Sequence, residues 1–280
     1  MNRFFIASNE LKDRGHAHAA ALKAFIESKG AYVADELASL GSGFGWQIPE
    51  DTDCLIVLGG DGTMLRAARN LKNKKIPILG INLGHLGYLT AGDKESAKDT
   101  IEQVLAGRCV IEERIMLQGS HRRGNEVLRE DLALNDVTVT RNNSLKTINL
   151  RLRVNGEPLY RYRADGIIIS TPTGSTAYNL SCGGPIVEPT ADLLLVTPIA
   201  PHSLNNRSLI LSSQDVIELE LMENDDPDPD MEYSAYFDGE SKTLMLPGDR
   251  IRIERAPEVT RILKLSDRSF LDTLRKKMTI

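Results

Sequence analysis

Leu55-Ile56-Val57-Leu58-Gly59-Gly60-Asp61-Gly62-Thr63-Met64-Leu65 is the stretch on which the fold turns. A short run of branched apolar residues breaks into three glycines and then enters a helix-compatible segment. That is the pattern of a buried parallel strand, a tight turn and a helix N-terminus, where exposed backbone N–H groups and the helix dipole attract phosphate. Asp61 does not suit such a turn. A carboxylate about 4 Å from a phosphate charge is repelled by roughly 4 kcal/mol at an effective dielectric near 20. The acid therefore reads as chemistry, either a general base for an incoming hydroxyl or a partner for a divalent metal. The plainer reading is an Asp that caps its own helix.

Working outward, residues 1 to about 110 alternate strand and helix patterns. Strands are expected at Arg3–Ala7, Ala31–Val33, Cys54–Leu58 and Ile76–Ile81. Asn9 is expected to cap a helix with Leu11, His18, Leu22 and Phe25 on one face. Another helix is expected to carry Ala97, Ile101, Val104 and Leu105 and to end at Gly107. Repeated βα units of this length predict a parallel sheet with flanking helices and ligands at the carboxyl ends of its strands. GGDGT and Gly84-His85-Leu86-Gly87-Tyr88 both fall at such ends, so the two loops are expected to meet. The run Gly41-Ser42-Gly43-Phe44-Gly45 lacks dinucleotide-fingerprint spacing and reads as a linker.

After about 112 the period shortens. Thr147–Val154 alternates, Asn155-Gly156 is a two-residue hairpin turn, and Pro158–Arg163 returns. Short strands follow at Leu193–Thr197, Val216–Leu221, Tyr233–Phe237 and Arg250–Glu254. This predicts a mainly β, sandwich-like C-terminal domain closed by a helix over Ser266–Met278, with Phe270, Leu274 and Met278 on one stripe. The acidic run Glu223–Asp230 reads as an exposed loop, since it lacks the glycine and terminal Glu of a calcium loop.

Composition narrows the function classes. Over 280 residues, 41% hydrophobic and 26% charged is ordinary for a globular chain. A net charge of −5 gives no broad basic face for nucleic acid. No apolar run approaches the ~20 residues of a spanning helix, and the first residues are too short for a signal-peptide core. Three cysteines, Cys54, Cys109 and Cys182, without a CxxC pair, read as reduced, buried thiols of a cytoplasmic protein.

A second block sharpens the functional reading: Asp165-Gly166-Ile167-Ile168-Ile169-Ser170-Thr171-Pro172-Thr173-Gly174-Ser175-Thr176-Ala177-Tyr178-Asn179-Leu180-Ser181. A buried strand runs into a turn with five hydroxyls between Ser170 and Thr176. The hydroxyls are expected to converge on a polar ligand, with Tyr178 offering a ring for stacking; the plain alternative is a set of helix-capping Ser and Thr. GGDGT at 59–63, Asn135-Asp136 within LNDVT, this block through Ile186, and Pro201-His202 together resemble the NAD kinase family in its order and spacing. GGDGT alone also occurs in lipid kinases; the downstream block is far more specific. Asp136 stands where many relatives carry Glu, and Cys182 where a small residue such as Ala is common.

The resemblance implies transfer of the terminal phosphoryl group of ATP, or of polyphosphate, to the 2′-hydroxyl of the adenosine ribose of NAD. It implies Asp61 as catalytic base, with Gly59, Gly60, Gly62, Thr63 and Arg66 facing phosphate. NAD would be met by Asp61, Gly62, Tyr88, Asn135, Asp136, Lys146, Arg163, Asp165, Thr173, Thr176, Ala177, Tyr178, Asn179, Ser181 and Ala200. Asp136 is expected to act as an ionised acceptor for ribose hydroxyls. The resemblance further implies a divalent metal, Mg²⁺, arriving with the donor and no dedicated protein ligand set. It implies a homodimer or homotetramer with a shared site, and a C-terminal piece that rejoins the first domain. The domains would be 1–112 with 256–280 for nucleotide phosphates and 113–255 for NAD. A lipid kinase of the diacylglycerol kinase type and a non-catalytic dinucleotide sensor are the rivals; the first leaves the 165–186 block without a role, the second leaves Asp61 without one.

Overall fold

The computed structural model describes all residues except 35–37, 40–46, 72–74, 85–86, 203–206, 225–227, 229, 268 and 279–280, with the backbone alone at 38–39. The linker expected at 41–45 lies outside the described residues. The chain forms two compact units, Met1–Glu113 with Thr260–Ile280, and Arg114–Val259.

In the first unit, β1 (Arg3–Ser8), α1 (Ala17–Ser28), β2 (Tyr32–Val33), β3 (Ala38–Ser39), β4 (Cys54–Gly59), α2 (Asp61–Leu71), β5 (Ile78–Asn82), β6 (Gly92–Asp93) and α3 (Ala97–Leu105) alternate along the chain. β2, β1, β4 and β5 pair in that order, all parallel, and the late residue Ile262 pairs with Ile78 on the far side of β5. Every residue of β4 and β5 is buried, because both faces of a parallel sheet are covered. Ile56, Leu58, Leu79 and Ile81 pack there with Leu22 and Ile26 of α1 and Ile101 and Val104 of α3. The first helix begins later than expected. Gly15 at φ +65° and His16 at φ +54° are left-handed, which no continuous right-handed helix admits. Asn9 closes a separate turn ahead of α1, its Oδ1 accepting the Leu11 N–H at 3.1 Å, and Leu11 is exposed. Asp13 takes the capping role instead: its buried carboxylate accepts the backbone N–H groups of His18 at 2.8 Å and Ala19 at 3.1 Å.

The second unit holds two antiparallel sheets. Its strands, the first and last of which run beyond its boundaries, are β7 (Cys109–Arg123), β8 (Glu126–Ala133), β9 (Asp136–Asn142), β10 (Ile148–Val154), β11 (Glu157–Ala164), β12 (Gly166–Ser170), β13 (Leu193–Ile199), β14 (Leu209–Ser212), β15 (Ile217–Met222), β16 (Glu232–Phe237), β17 (Ser241–Met245) and β18 (Arg250–Leu265). One sheet runs β14-β13-β12-β9-β16-β17; in the other, β11, β10, β15 and the first part of β18 are neighbours. Val137, Val139, Ile167, Ile169 and Phe237 of the first share one core with Leu150, Leu152, Leu219 and Ile251 of the second. The expected 155–156 turn is present, with Asn155 at φ +52° and Gly156 at φ +83°, as a hairpin of this type requires. Between β12 and β13 lie a 3₁₀ turn (Thr173–Thr176) and the one-turn helix α4 (Tyr178–Ser181).

The closing helix α5 is Phe270–Met278, shorter than expected, because Ser269 and Asp272 cap it reciprocally: Asp272 N–H donates to Ser269 Oγ at 3.1 Å. The stripe expected from Phe270, Leu274 and Met278 is not a buried one; α5 has no buried residue.

Candidate phosphate turn and nucleoside cavity

In the first unit the glycine turn is assembled around two side chains. Thr63 is buried; its Oγ1 accepts Gly60 N–H at 3.2 Å and the Asn9 amide at 3.2 Å, pinning the turn to the end of β1. A Cβ on Gly59 would lie 2.3 Å from Thr63 Oγ1, so only glycine fits. Asp61 is the first residue of α2. Its carboxylate does not turn back on its own helix as the capping reading requires. It reaches the loop after β5, accepting the backbone N–H groups of Tyr88 at 2.8 Å and Leu89 at 3.1 Å. A Cβ on Gly87 would sit 1.9 Å from Asp61 Oδ1, which is why this loop approaches so closely. The expected meeting of the two loops is thus made through Asp61; His85 and Leu86 lie outside the described residues. The Lys277 ammonium stands 5.5 Å from the Tyr88 ring centroid and Lys264 donates to the Tyr88 carbonyl at 2.9 Å. Gly62 faces open space and Arg66 is exposed on α2. One residue escaped the sequence reading: the Lys12 ammonium is 3.0 Å from the point where a side chain on Gly60 would begin. Nothing in the local sequence around Lys12 signals this, since the loop before α1 brings it there.

In the second unit the two specific motifs are laced together. Ser170 pairs with Asp136 across β12 and β9. Beyond that register, Thr171 N–H and Ser170 Oγ both donate to the Asn135 carbonyl, at 2.9 and 3.2 Å, and Thr171 Oγ1 donates to the Leu134 carbonyl at 2.6 Å. Ser175 Oγ donates to the Val187 carbonyl at 3.2 Å, and Thr176 Oγ1 reaches the Thr173 carbonyl at 3.5 Å. Four of the five hydroxyls expected to converge on a ligand therefore bond within the protein. Thr173 is the exception: its buried Oγ1 has no hydrogen-bond partner among the described residues. Gly174 lies against the same turn; a Cβ there would meet the Asn135 carbonyl oxygen at 2.2 Å.

A cavity of about 430 Å³ opens beside this lacing, lined by Asn135, Asp136, Thr138, Ala177, Tyr178 and Tyr236 among others. Its size and its mixture of rings, amides and carboxyls suit a nucleoside. Tyr178 is half exposed. Asp136 is 5% exposed; burial and the negative charge of Asp238 push its carboxyl up to about 7, against the accepting bond from Thr138. The ionised acceptor expected from sequence is therefore not its settled state at neutral pH. Burial likewise raises the Tyr178 phenol and the Cys182 thiol; of the three thiols expected to be buried, Cys54 is, while Cys109 and Cys182 are only partly so.

The other expected residues are spread more widely. Asn179 is fully buried, its amide donating to the Ser175 and Pro185 carbonyls and its oxygen accepting from Thr197, so it builds the loop. Asp165 is ion-paired with Arg141 at 2.9 Å. Arg163 is exposed and donates to Thr147 Oγ1 at 3.0 Å. Lys146 and Ser181 are exposed, and Ala200 is exposed at a left-handed φ of +42°.

A carboxylate held in a glycine turn at a helix N-terminus and a nucleoside-sized cavity in a β-sandwich are the parts of a phosphotransferase that acts on a nucleotide. Residues 13–109 match the ATP-NAD kinase N-terminal domain and residues 134–265 the ATP-NAD kinase C-terminal domain. The NAD kinase of Lachnospira eligens is 44% identical, over 99% of this chain and 100% of that one. That of Agathobacter rectalis is 42% identical over 99% of each. Among solved structures, yeast NADH kinase complexed with NADH superposes with a TM-score of 0.82 at 25% identity, covering 100% of this chain and 87% of that one. An Archaeoglobus fulgidus NAD kinase in complex with ATP gives 0.75 at 26% identity, covering 98% of each. The chain belongs to the NAD kinase family.

Proposed function

We propose that this chain transfers the terminal phosphoryl group of ATP to the 2′-hydroxyl of the adenosine ribose of NAD, giving NADP, with Asp61 as the base. The observation that carries the assignment of Asp61 is its carboxylate, fixed by two backbone N–H groups at the head of a glycine turn. That geometry orients an acceptor for the hydroxyl proton. Phosphoryl transfer otherwise needs positioning and neutralisation of charge. Gly62, at the open head of α2, would face phosphate, Gly60 would keep the turn tight with its N–H held by Thr63 Oγ1, and Lys12 and Arg66 would add positive charge. Thr63 shapes the turn from within. In the second unit, Asn135 and Asp136 would meet sugar hydroxyls, Thr173, Thr176 and Ala177 would line the nucleoside, and Tyr178 would stack on its base.

A divalent metal, Mg²⁺, accompanies the donor in this reading. Among the described residues no group of three or more His, Cys, Asp or Glu side chains could hold a metal ion. Mg²⁺ is commonly carried on substrate phosphates with one or two carboxylates, and Asp61 is the carboxylate at the turn. The metal's contribution is to neutralise phosphate charge. Polyphosphate remains the second donor in this proposal, and a cytoplasmic site of action the expected compartment; no helix among the described residues is long and apolar enough to cross a membrane.

Purified protein with NAD, ATP and Mg²⁺ should form NADP, and diacylglycerol should not serve as acceptor. Asp61→Asn keeps the shape and removes the proton acceptor, so turnover should fall about 10²–10⁴-fold. The amide also leaves one of the two loop N–H groups without its anion, so NAD and ATP binding are measured alongside. Turnover lost with both ligands still bound assigns Asp61 to the chemistry. Near-normal turnover would reduce it to a tie between two loops.

A further inference from the structure

Asp238, on the turn that joins β16 and β17, has no role in the reaction as described above, yet it touches the cavity and the segment that holds the sugar-binding pair. Its Oδ1 accepts the backbone N–H groups of Asn135 at 2.7 Å and Asp136 at 3.3 Å, and its Oδ2 accepts that of Leu134 at 3.0 Å. Asp238 N–H in turn donates to the Asp136 carbonyl at 3.0 Å. Three successive amides converging on one carboxylate favour its charged form strongly. Asp136 and Asp238 both line the cavity, and both are nine-tenths or more buried.

We propose that Asp238 is a positioning residue for NAD: it fixes the Asn135-Asp136 segment through its backbone and, as the charged member of the pair, keeps a proton on Asp136, which then donates to a sugar oxygen. This rests on the NAD kinase reading of the cavity. Two carboxyl groups in one low-dielectric site do not both ionise readily, and here the backbone decides which one keeps the charge. Among the described residues Asp136 accepts one side-chain hydrogen bond, from Thr138 Oγ1 at 3.1 Å, whereas Asp238 accepts three backbone N–H groups. Burial and the Asp238 charge raise its ionisation to about pH 7. The other titratable groups that feel Asp136 are Tyr178 and Cys182 on and after α4, both shifted upward and hence neutral at that pH. A neutral Asp136 removes one repulsion from an anionic dinucleotide and adds a donor; an ionised one reverses both effects.

Equilibrium binding of NAD to the whole protein, without donor, measured from pH 5.5 to 8.5, tests this. NAD does not titrate in that range, so an inflection belongs to the protein. The dissociation constant should rise with pH, with its midpoint near the value for Asp136. Asp238→Asn should move the midpoint down by about one unit or more, since a like charge is removed. Thr138→Val should move it up, since a bond to the ionised form is lost. Asp136→Asn should flatten the profile, and it decides the matter even if Asp238→Asn does not fold. A midpoint unmoved in both neighbouring variants, or an inflection that persists in Asp136→Asn, overturns the proposal. NADP formation without the pH profile defeats this inference alone; failure to bind NAD at any pH defeats the reading beneath it.

Discussion

Asp61 and Lys12 show how much single side chains settle at the turn. The carboxylate that would be repelled by donor phosphate is held by two backbone N–H groups, and the neighbouring Gly60 is approached by an ammonium delivered by another loop. Lys12→Met should raise the apparent constant for ATP about two- to fivefold, the scale of one exposed charge interaction. The change should shrink as salt is added, because exposed charges are screened. The constant for NAD should stay in place. Equal effects on both substrates would detach Lys12 from the donor phosphates. Asp61 was legible in the sequence because a carboxylate between glycines has an electrostatic cost that asks for a reason. Lys12 was not, since its place depends on two left-handed residues, Gly15 and His16, that delay α1.

At the scale of elements, the 170–176 turn is the sharpest lesson. Its hydroxyls suggest a ligand cradle from composition, but the register that sets Ser170 opposite Asp136 brings them against the carbonyls of residues 134 and 135, where buried oxygens need donors. Gly174→Ala would drive a Cβ into the Asn135 carbonyl, so stability should fall by about 1–3 kcal/mol and NAD binding should weaken with it. Gly62→Ala, with nothing within 4 Å of its Cβ, should leave the melting temperature in place. A Gly174→Ala protein as stable as its parent, by calorimetry, would mean that the lacing yields. The βα alternation and the 155–156 hairpin were readable because each rests on local periodicity and turn chemistry. The β7–β8 hairpin was not: β8 exposes most of its length and carries Glu126, Arg129, Glu130 and Asp131, so no alternation marks it. Asp165 and Asn179 could not be judged either, because Arg141 and Thr197, which bind them, come from other strands.

For the whole molecule, the resemblance to NAD kinases implies a homodimer or homotetramer with a shared site, and this expectation can be tested. β11 is an edge strand with Leu159 and Tyr160 exposed, beside Arg151, Arg153 and Arg161. Such an edge is a ready pairing surface unless another chain covers it. Light scattering at assay concentration should give a dimer or tetramer, and Leu159→Lys should shift it toward monomer with loss of turnover. A fully active monomer would remove the shared-site proposal while leaving the family assignment standing.

The internally bonded 170–176 turn also bears on inhibitor design. A compound that aims hydrogen-bond donors or acceptors at those hydroxyls will find most of them already engaged, and will lose its own hydration without return. Thr173 Oγ1, without a partner among the described residues, is itself buried. Potency should come instead from a flat ring laid on Tyr178 and from a group able both to donate and to accept a hydrogen bond at Asp136, as in an amide-bearing nucleoside analogue.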